Sequence, residues 1–300
     1  RRAAAVDDAP AAARFALALD SSWQRASAGS ASQVLSRDGN PSRTPADVGV
    51  AAATTVGLVA WNNLVAARPW HARHYVFANL VGTVALLTVG RLRGVSAGEL
   101  GLSSHRVAAG ARAGAAVGAP IMAFWAAAVV SPHRARLRDA RVAGLSARAV
   151  GYQAAVRVPL GTAVWEEVAF RAVLPALLRR VMSARTAGMV NAVVFGLWHI
   201  RPTLDAARLN GIAMTRRRRS AACAGAVVAG ALVDVLLSFL HRWCGSLLAP
   251  TLVHIASNSG GTVAAAVAGR ARPYRPHRRS VAGRRFSRRW CLAIPFWAWR

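Results

Sequence analysis

The chain has 300 residues, 54% of them hydrophobic, with a mean hydropathy of +0.31 and a formal net charge of +28. Those values exclude an ordinary soluble domain and suit a chain of several apolar helices. The charge does not point to nucleic acid, because all 39 basic residues are arginine and they gather between apolar runs, as the flanks of membrane helices do.

The absence of lysine removes Schiff-base chemistry on a side chain. Cys223, Cys244 and Cys291 form no CxxC pair, so neither a thiolate metal site nor a disulfide framework is expected.

In chain order, residues 1–46 are rich in Ala, Ser, Arg and Asp, with six arginines against four aspartates. They read as a disordered or weakly helical N-terminal extension without a cleavable signal peptide. Residues 47–269 read as the bundle. Its runs 48–67, 75–90, 113–131 and 220–233 carry no Arg, Asp or Glu, and neither does 246–269.

A membrane span takes about 20 residues. The runs predict an all-α, polytopic transmembrane helix bundle with about seven spans. They fall near 48–66, 75–91, 107–130, 160–178, 185–200, 220–240 and 247–269. Pro159 is expected in the first turn of the fourth. The Arg-rich stretch 131–150 reads as a partly helical, surface-lying segment. Residues 270–300 hold ten arginines and no acid, an Arg-rich C-terminal tail. With seven spans, one side holds 14 arginines and the other, with the tail, 24. Positive-inside logic then places the tail in the cytoplasm of a multi-pass cell-membrane protein.

Against this apolar background a few polar residues stand out. Ionisable residues inside a membrane are functional candidates by default and are expected to face the bundle interior. Of the three glutamates, Glu166 and Glu167 lie side by side in an apolar run, and of the eight histidines only His199 and His254 fall within apolar segments. In "EEVAFR", Glu167 and Arg171 share a helical face in the favourable order for an ion pair, leaving Glu166 about 100° away for another task. In "FGLWH" an aromatic shelf, Phe195, lies one turn from His199. In "HIASN", His254 and Asn258 share a face. Along the helices Glu166 and His199 fall near the cytoplasmic side, whereas His254 falls nearer the opposite end.

A buried carboxylate beside two neutral imidazoles can serve as a general base towards water, and an Asn can donate to a developing oxyanion. Two His and one Glu are equally the ligand set of a hydrolytic zinc site, here Glu166, His199 and His254. Both readings end in hydrolysis of an acyl bond. Taken singly, the same residues have plainer readings. Glu167–Arg171 alone is a structural ion pair, Trp165 and Trp198 pack or sit at the membrane interface, and Asp234 is balanced between a functional role and snorkelling or pairing with a nearby arginine.

The three motifs fit EExxxR, FxxxH and HxxxN, in that order, on successive apolar segments. Over about residues 75–265 the chain thereby resembles the CPBP family: the type II CAAX prenyl endoproteases and the bacteriocin-processing or self-immunity proteins also called Abi. The resemblance implies an intramembrane endopeptidase that hydrolyses a peptide bond near the membrane. Glu166 would activate water, supported by Glu167 and Arg171. His199 and His254 would orient the water or bind a metal, and Asn258 would stabilise the oxyanion. It leaves open Zn²⁺ or a metal-free glutamate mechanism. It implies a peptide or membrane-protein substrate and the lipid bilayer as partners; the placing of the arginines, not the resemblance, argues for no nucleic acid. Ala172 and Asp234 depart from the pattern, each standing where Gly is expected.

Two alternatives stand beside this reading. One is a non-catalytic membrane scaffold or immunity protein of the same fold. The other is a proton-coupled transporter, which predicts broken helices and two-fold repeats that the sequence does not display.

Overall fold

The computed structural model describes residues 44–270. Among these it contains helices and no strand. The expected N-terminal extension, up to residue 43, and the Arg-rich tail beyond residue 270 lie outside the described residues, as does any statement of which side the tail occupies.

Helix α1 (Pro45–Ala60) starts where the Thr44 side chain accepts from the Asp47 N–H, with Pro45 in the first turn, where its missing donor costs nothing. A wide π turn, Trp61–Val65, continues it. The short α2 (Pro69–Arg73) leads into α3 (Tyr75–Leu92), and α4 (Val107–Val130) follows a surface loop.

Next comes one unbroken helical path from 147 to 179. It consists of α5 (Ala147–Tyr152), the π-wound Gln153–Ala163, α6 (Val164–Glu167), the π-wound Val168–Val173 and α7 (Leu174–Arg179). Helix α8 (Ala184–Trp198), capped by Ser183, breaks at His199 into α9 (Ile200–Leu209). Helix α10 (Arg216–Cys244) ends at Gly245, whose φ of +64° is the left-handed turn that glycine adopts without strain. Helix α11 (Leu248–Arg270) closes the bundle.

One expectation is corrected and another is met in part. Pro159 does not open a helix: Ser146 caps the helix thirteen residues earlier, and the path passes through Pro159 in widened turns. Widened turns are how a helix absorbs a missing N–H and a clashing ring. The expectation of about seven spans is met in part: among the described residues four helices are long and apolar enough to cross a membrane, Pro45–Val65, Tyr75–Leu92, Ser104–Val130 and Arg216–Cys244. The reasons are physical. Helix α8 has 15 residues, about 22 Å, short of a bilayer core of about 30 Å. The 147–179 path carries Arg157, Glu166, Glu167 and Arg171, and α11 carries a polar face. The four candidate spans expose large apolar side chains outward, among them Leu64, Phe77, Phe124 and Leu236. The chain is a membrane protein in which apolar helices pack against more polar ones.

The packing is close because glycine permits it. Helix α4 presents Gly110, Gly114 and Gly118, four residues apart, to α11 and the turn before it. A Cβ on Gly114 would come within 2.9 Å of Leu252, and one on Gly110 within 2.3 Å of Ser246. Small residues at this spacing are how membrane helices approach each other backbone to backbone. Helices α8 and α10 cross still closer, where a Cβ on Gly230 would sit 2.7 Å from the Cα of Gly196. At the centre lies the 147–179 path, of which residues 165–178 are buried without exception.

Candidate active site

Three elements bring the motif residues together at that centre. Glu166 and Glu167 end α6, His199 sits at the break between α8 and α9, and His254 lies in the second turn of α11. The depth gap expected between His254 and the other two is closed: His254 Nδ1 lies 2.7 Å from Glu167 Oε1, and its Nε2 lies 3.8 Å from Glu166 Oε2. His199 Nε2 approaches the same Glu166 oxygen at 3.9 Å.

The hydrogen bonds assign the imidazole protons. His199 Nδ1 is 2.7 Å from the Phe195 carbonyl, which can only accept, so Nδ1 carries the proton and Nε2 is the acceptor of the neutral ring. His254 Nδ1 donates likewise to the Glu167 carboxylate. The two Nε2 atoms and Glu166 Oε2 thus present acceptor character towards one volume. Glu166 Oε2 is buried and makes no hydrogen bond among the described residues, while Oε1 accepts from Trp198 Nε1 at 3.0 Å. Such a buried oxygen is costly unless a donor reaches it.

Behind this face runs a buried chain of charge. Glu167 Oε2 pairs with Arg171 Nε at 3.2 Å, the (i, i+4) pair the sequence anticipated, and Arg171 Nη2 lies 3.6 Å from Asp234 Oδ1 on α10. Both Asp234 oxygens accept from Asn191 Nδ2, at 3.0 and 2.9 Å, and the same amide donates to the Phe170 carbonyl. The guanidinium also lies 4.3 Å from the Phe195 ring centroid, and the Phe195 ring meets His199 edge-on at 4.5 Å. Between the two readings of Asp234, the geometry favours the arginine partner. Asn258 is buried on α11 one turn beyond His254, but its carboxamide is hydrogen-bonded to none of these groups.

Four contributors escaped the sequence reading. Trp198, read there as packing, donates to Glu166. Asn191 anchors Asp234; its spacing of four and eight residues from Phe195 and His199 on one helix face was the available signal. Asn62 and Asn63 hold the helix break that presents His199. Asn62 Nδ2 donates to Trp198 O at 2.6 Å and Asn63 Nδ2 to Leu197 O at 3.2 Å, while Asn63 Oδ1 accepts from the Arg201 N–H. A helix end needs partners for its last carbonyls, and here another helix supplies them.

Glu166, His199 and His254 have the chemistry of metal ligands, with each Nδ1 oriented by an acceptor behind it. As placed they do not close on a metal ion. Ligands about 2.0–2.1 Å from a tetrahedral zinc stand ~3.3 Å apart, against the 3.8 and 3.9 Å found here. Among the described residues no group of three His, Cys, Asp or Glu is arranged to hold one.

Residues 150–260 match the family described as Type II CAAX prenyl endopeptidase Rce1-like. The matched stretch contains Glu166, Glu167, Arg171, His199, His254 and Asn258, and over it the family resemblance of the three motifs is shown. No curated protein and no solved structure matches the chain. The match supports an enzyme of the CAAX-protease type.

Proposed function

We propose that this Rce1-like membrane protein is an intramembrane endopeptidase that cleaves a peptide bond near the membrane by attack of water activated by Glu166. The observation that carries the reading is the buried Glu166 Oε2, without a hydrogen-bond donor, within 3.9 Å of one imidazole nitrogen and 3.8 Å of another. A water between these three acceptors donates one proton to Glu166 and the other to an imidazole, and keeps a lone pair for the substrate carbonyl.

The steps follow from the donors and acceptors. Glu166 takes a proton from the water as its oxygen bonds to the carbonyl carbon. The resulting oxyanion receives a hydrogen bond from the Asn258 amide, which forms no side-chain hydrogen bond among the described residues. The proton on Glu166 then passes to the departing amine as the C–N bond breaks. Trp198 holds Glu166 through its other oxygen. Glu167, locked by Arg171, fixes the tautomer of His254. The substrate is a membrane-proximal peptide or membrane-protein segment.

Cleavage of membrane-anchored fluorogenic peptides by the purified protein in detergent tests the proposal. Glu166→Gln keeps the shape and the Trp198 contact but removes the base, and is expected to lower the rate by about 10²–10⁴-fold. Unchanged cleavage in that variant would falsify the assignment. Absence of cleavage by the wild type against a broad peptide set favours the non-catalytic scaffold. Metal analysis of the same preparation, with a chelator control, separates the metal-free mechanism from one using Zn²⁺.

A further inference from the structure

A cleft of about 430 Å³, a volume typical of small-ligand sites, is lined by none of the acid–imidazole residues. Its lining includes Arg141, Arg157, Arg201, Arg208 and His71, and a single carboxylate, Asp205. Four guanidinium groups stand against two carboxylates, Asp205 in the lining and the Asp139 that pairs with Arg141, which leaves the wall net cationic.

Several of these groups are held in place. Arg157 Nη1 donates to Gln153 Oε1 at 3.2 Å, and its guanidinium lies 4.1 Å from the Tyr75 ring centroid. Arg201 Nε donates to both oxygens of Asp205, at 2.9 and 2.8 Å. Arg141 is paired with Asp139, which lies outside the lining. Arg208 is exposed and forms no ion pair among the described residues.

The level of the cleft in the membrane follows from the helices around it. One candidate span ends at Val65 and the next begins at Tyr75. The cleft is lined by residues of the turn between them, Ala66 to Ala72, and by Tyr75 itself. It therefore opens where hydrocarbon gives way to headgroups. Phosphate oxygens are the dominant anions at that depth, and arginine forks match them better than any other side chain does.

We propose that this cleft is a binding site for an anionic phosphate group, carried by the headgroup of an acidic phospholipid. The site does not depend on the proteolytic reading, since it uses none of the residues assigned to that chemistry.

Thermal unfolding of the full chain in a neutral detergent tests it, with added short-chain phosphatidylglycerol, phosphatidylcholine or inorganic phosphate. Phosphatidylglycerol is expected to raise the midpoint above the phosphatidylcholine control. The double variant Arg157→Gln/Arg208→Gln should weaken the apparent affinity by about tenfold or more. Arg185→Gln, an exposed arginine at the start of α8, should leave it unchanged. If the double variant does not fold, Arg208→Gln at its exposed position is read alone and shows a smaller loss in the same direction. Protection by inorganic phosphate equal to that of the lipid, and lost in the same variants, supports the site with free phosphate as its source. The proposal is overturned if neither phosphatidylglycerol nor phosphate stabilises beyond phosphatidylcholine, or if the lipid preference survives in the arginine variants.

Discussion

The centre of the 147–179 path and the outer faces of α3 and α4 have opposite polarity, each contrary to what a water-soluble protein would show. Residues 165–178 are all buried, yet they include two glutamates and an arginine. Helix α3 turns Phe77 and Val84 outward, 71% and 64% exposed, while burying Asn79 and Thr83. Helix α4 turns Phe124 outward and buries glycines. In lipid the apolar face gains nothing by hiding, so polar groups and close backbone contacts hold the helices together. The comparison teaches that in this chain the interior carries the specificity and the exterior carries little beyond compatibility with lipid.

That contrast is open to direct attack, and the largest effect is expected at its buried end. Arg171→Met leaves Glu167 and Asp234 as uncompensated buried charges and should cost about 3–5 kcal/mol in thermal unfolding. Adding Glu167→Gln to that variant should recover part of the loss; if it does not, the pair is not the unit the geometry indicates. Gly114→Leu wedges a side chain between α4 and α11, where even a Cβ meets Leu252 at 2.9 Å, and should cost about 1–3 kcal/mol. Gly49→Leu, on an open helix face, is the control.

A change of similar size is expected at the edge of the candidate active site. Trp198→Phe keeps the ring packing but withdraws the hydrogen bond to Glu166, for a loss of about 1.5–3 kcal/mol, read first as a fall in peptide cleavage. Smallest of all, Val84→Ala on the lipid side should stay within about 0.5 kcal/mol of the wild type. A larger penalty there would mean that α3 packs against something in the membrane, and the contrast between the two regions would fail.

Legibility in the sequence divides along the same line. The helices at 75–92 and 107–130 fall where spans were expected, each built around an uncharged run, because the hydrocarbon core selects composition over a continuous stretch. The 147–179 path was misread at its start: the proline at 159 is a strong local stop signal, and only its neighbours in the bundle show that the helix passes through it. The motif residues were legible because charges in an apolar run are conspicuous. Trp198 was not, since an indole in such a run looks the same whether it packs or donates a hydrogen bond. Asn62 and Asn63 lie more than 130 residues from the carbonyls they hold, beyond any local pattern.

The sequence by itself determined that the chain is helical and membrane-embedded, and which side chains are out of place in that setting. Helix periodicity and the cost of charge in hydrocarbon act on neighbouring residues, so they leave a local record. The tertiary structure alone decided that His254 reaches Glu167 and faces Glu166, that Asp234 answers Arg171, and that four arginines from separate segments share one cleft. Those meetings depend on how helices cross, and the crossings are set by glycine contacts between segments that no single stretch of chain records.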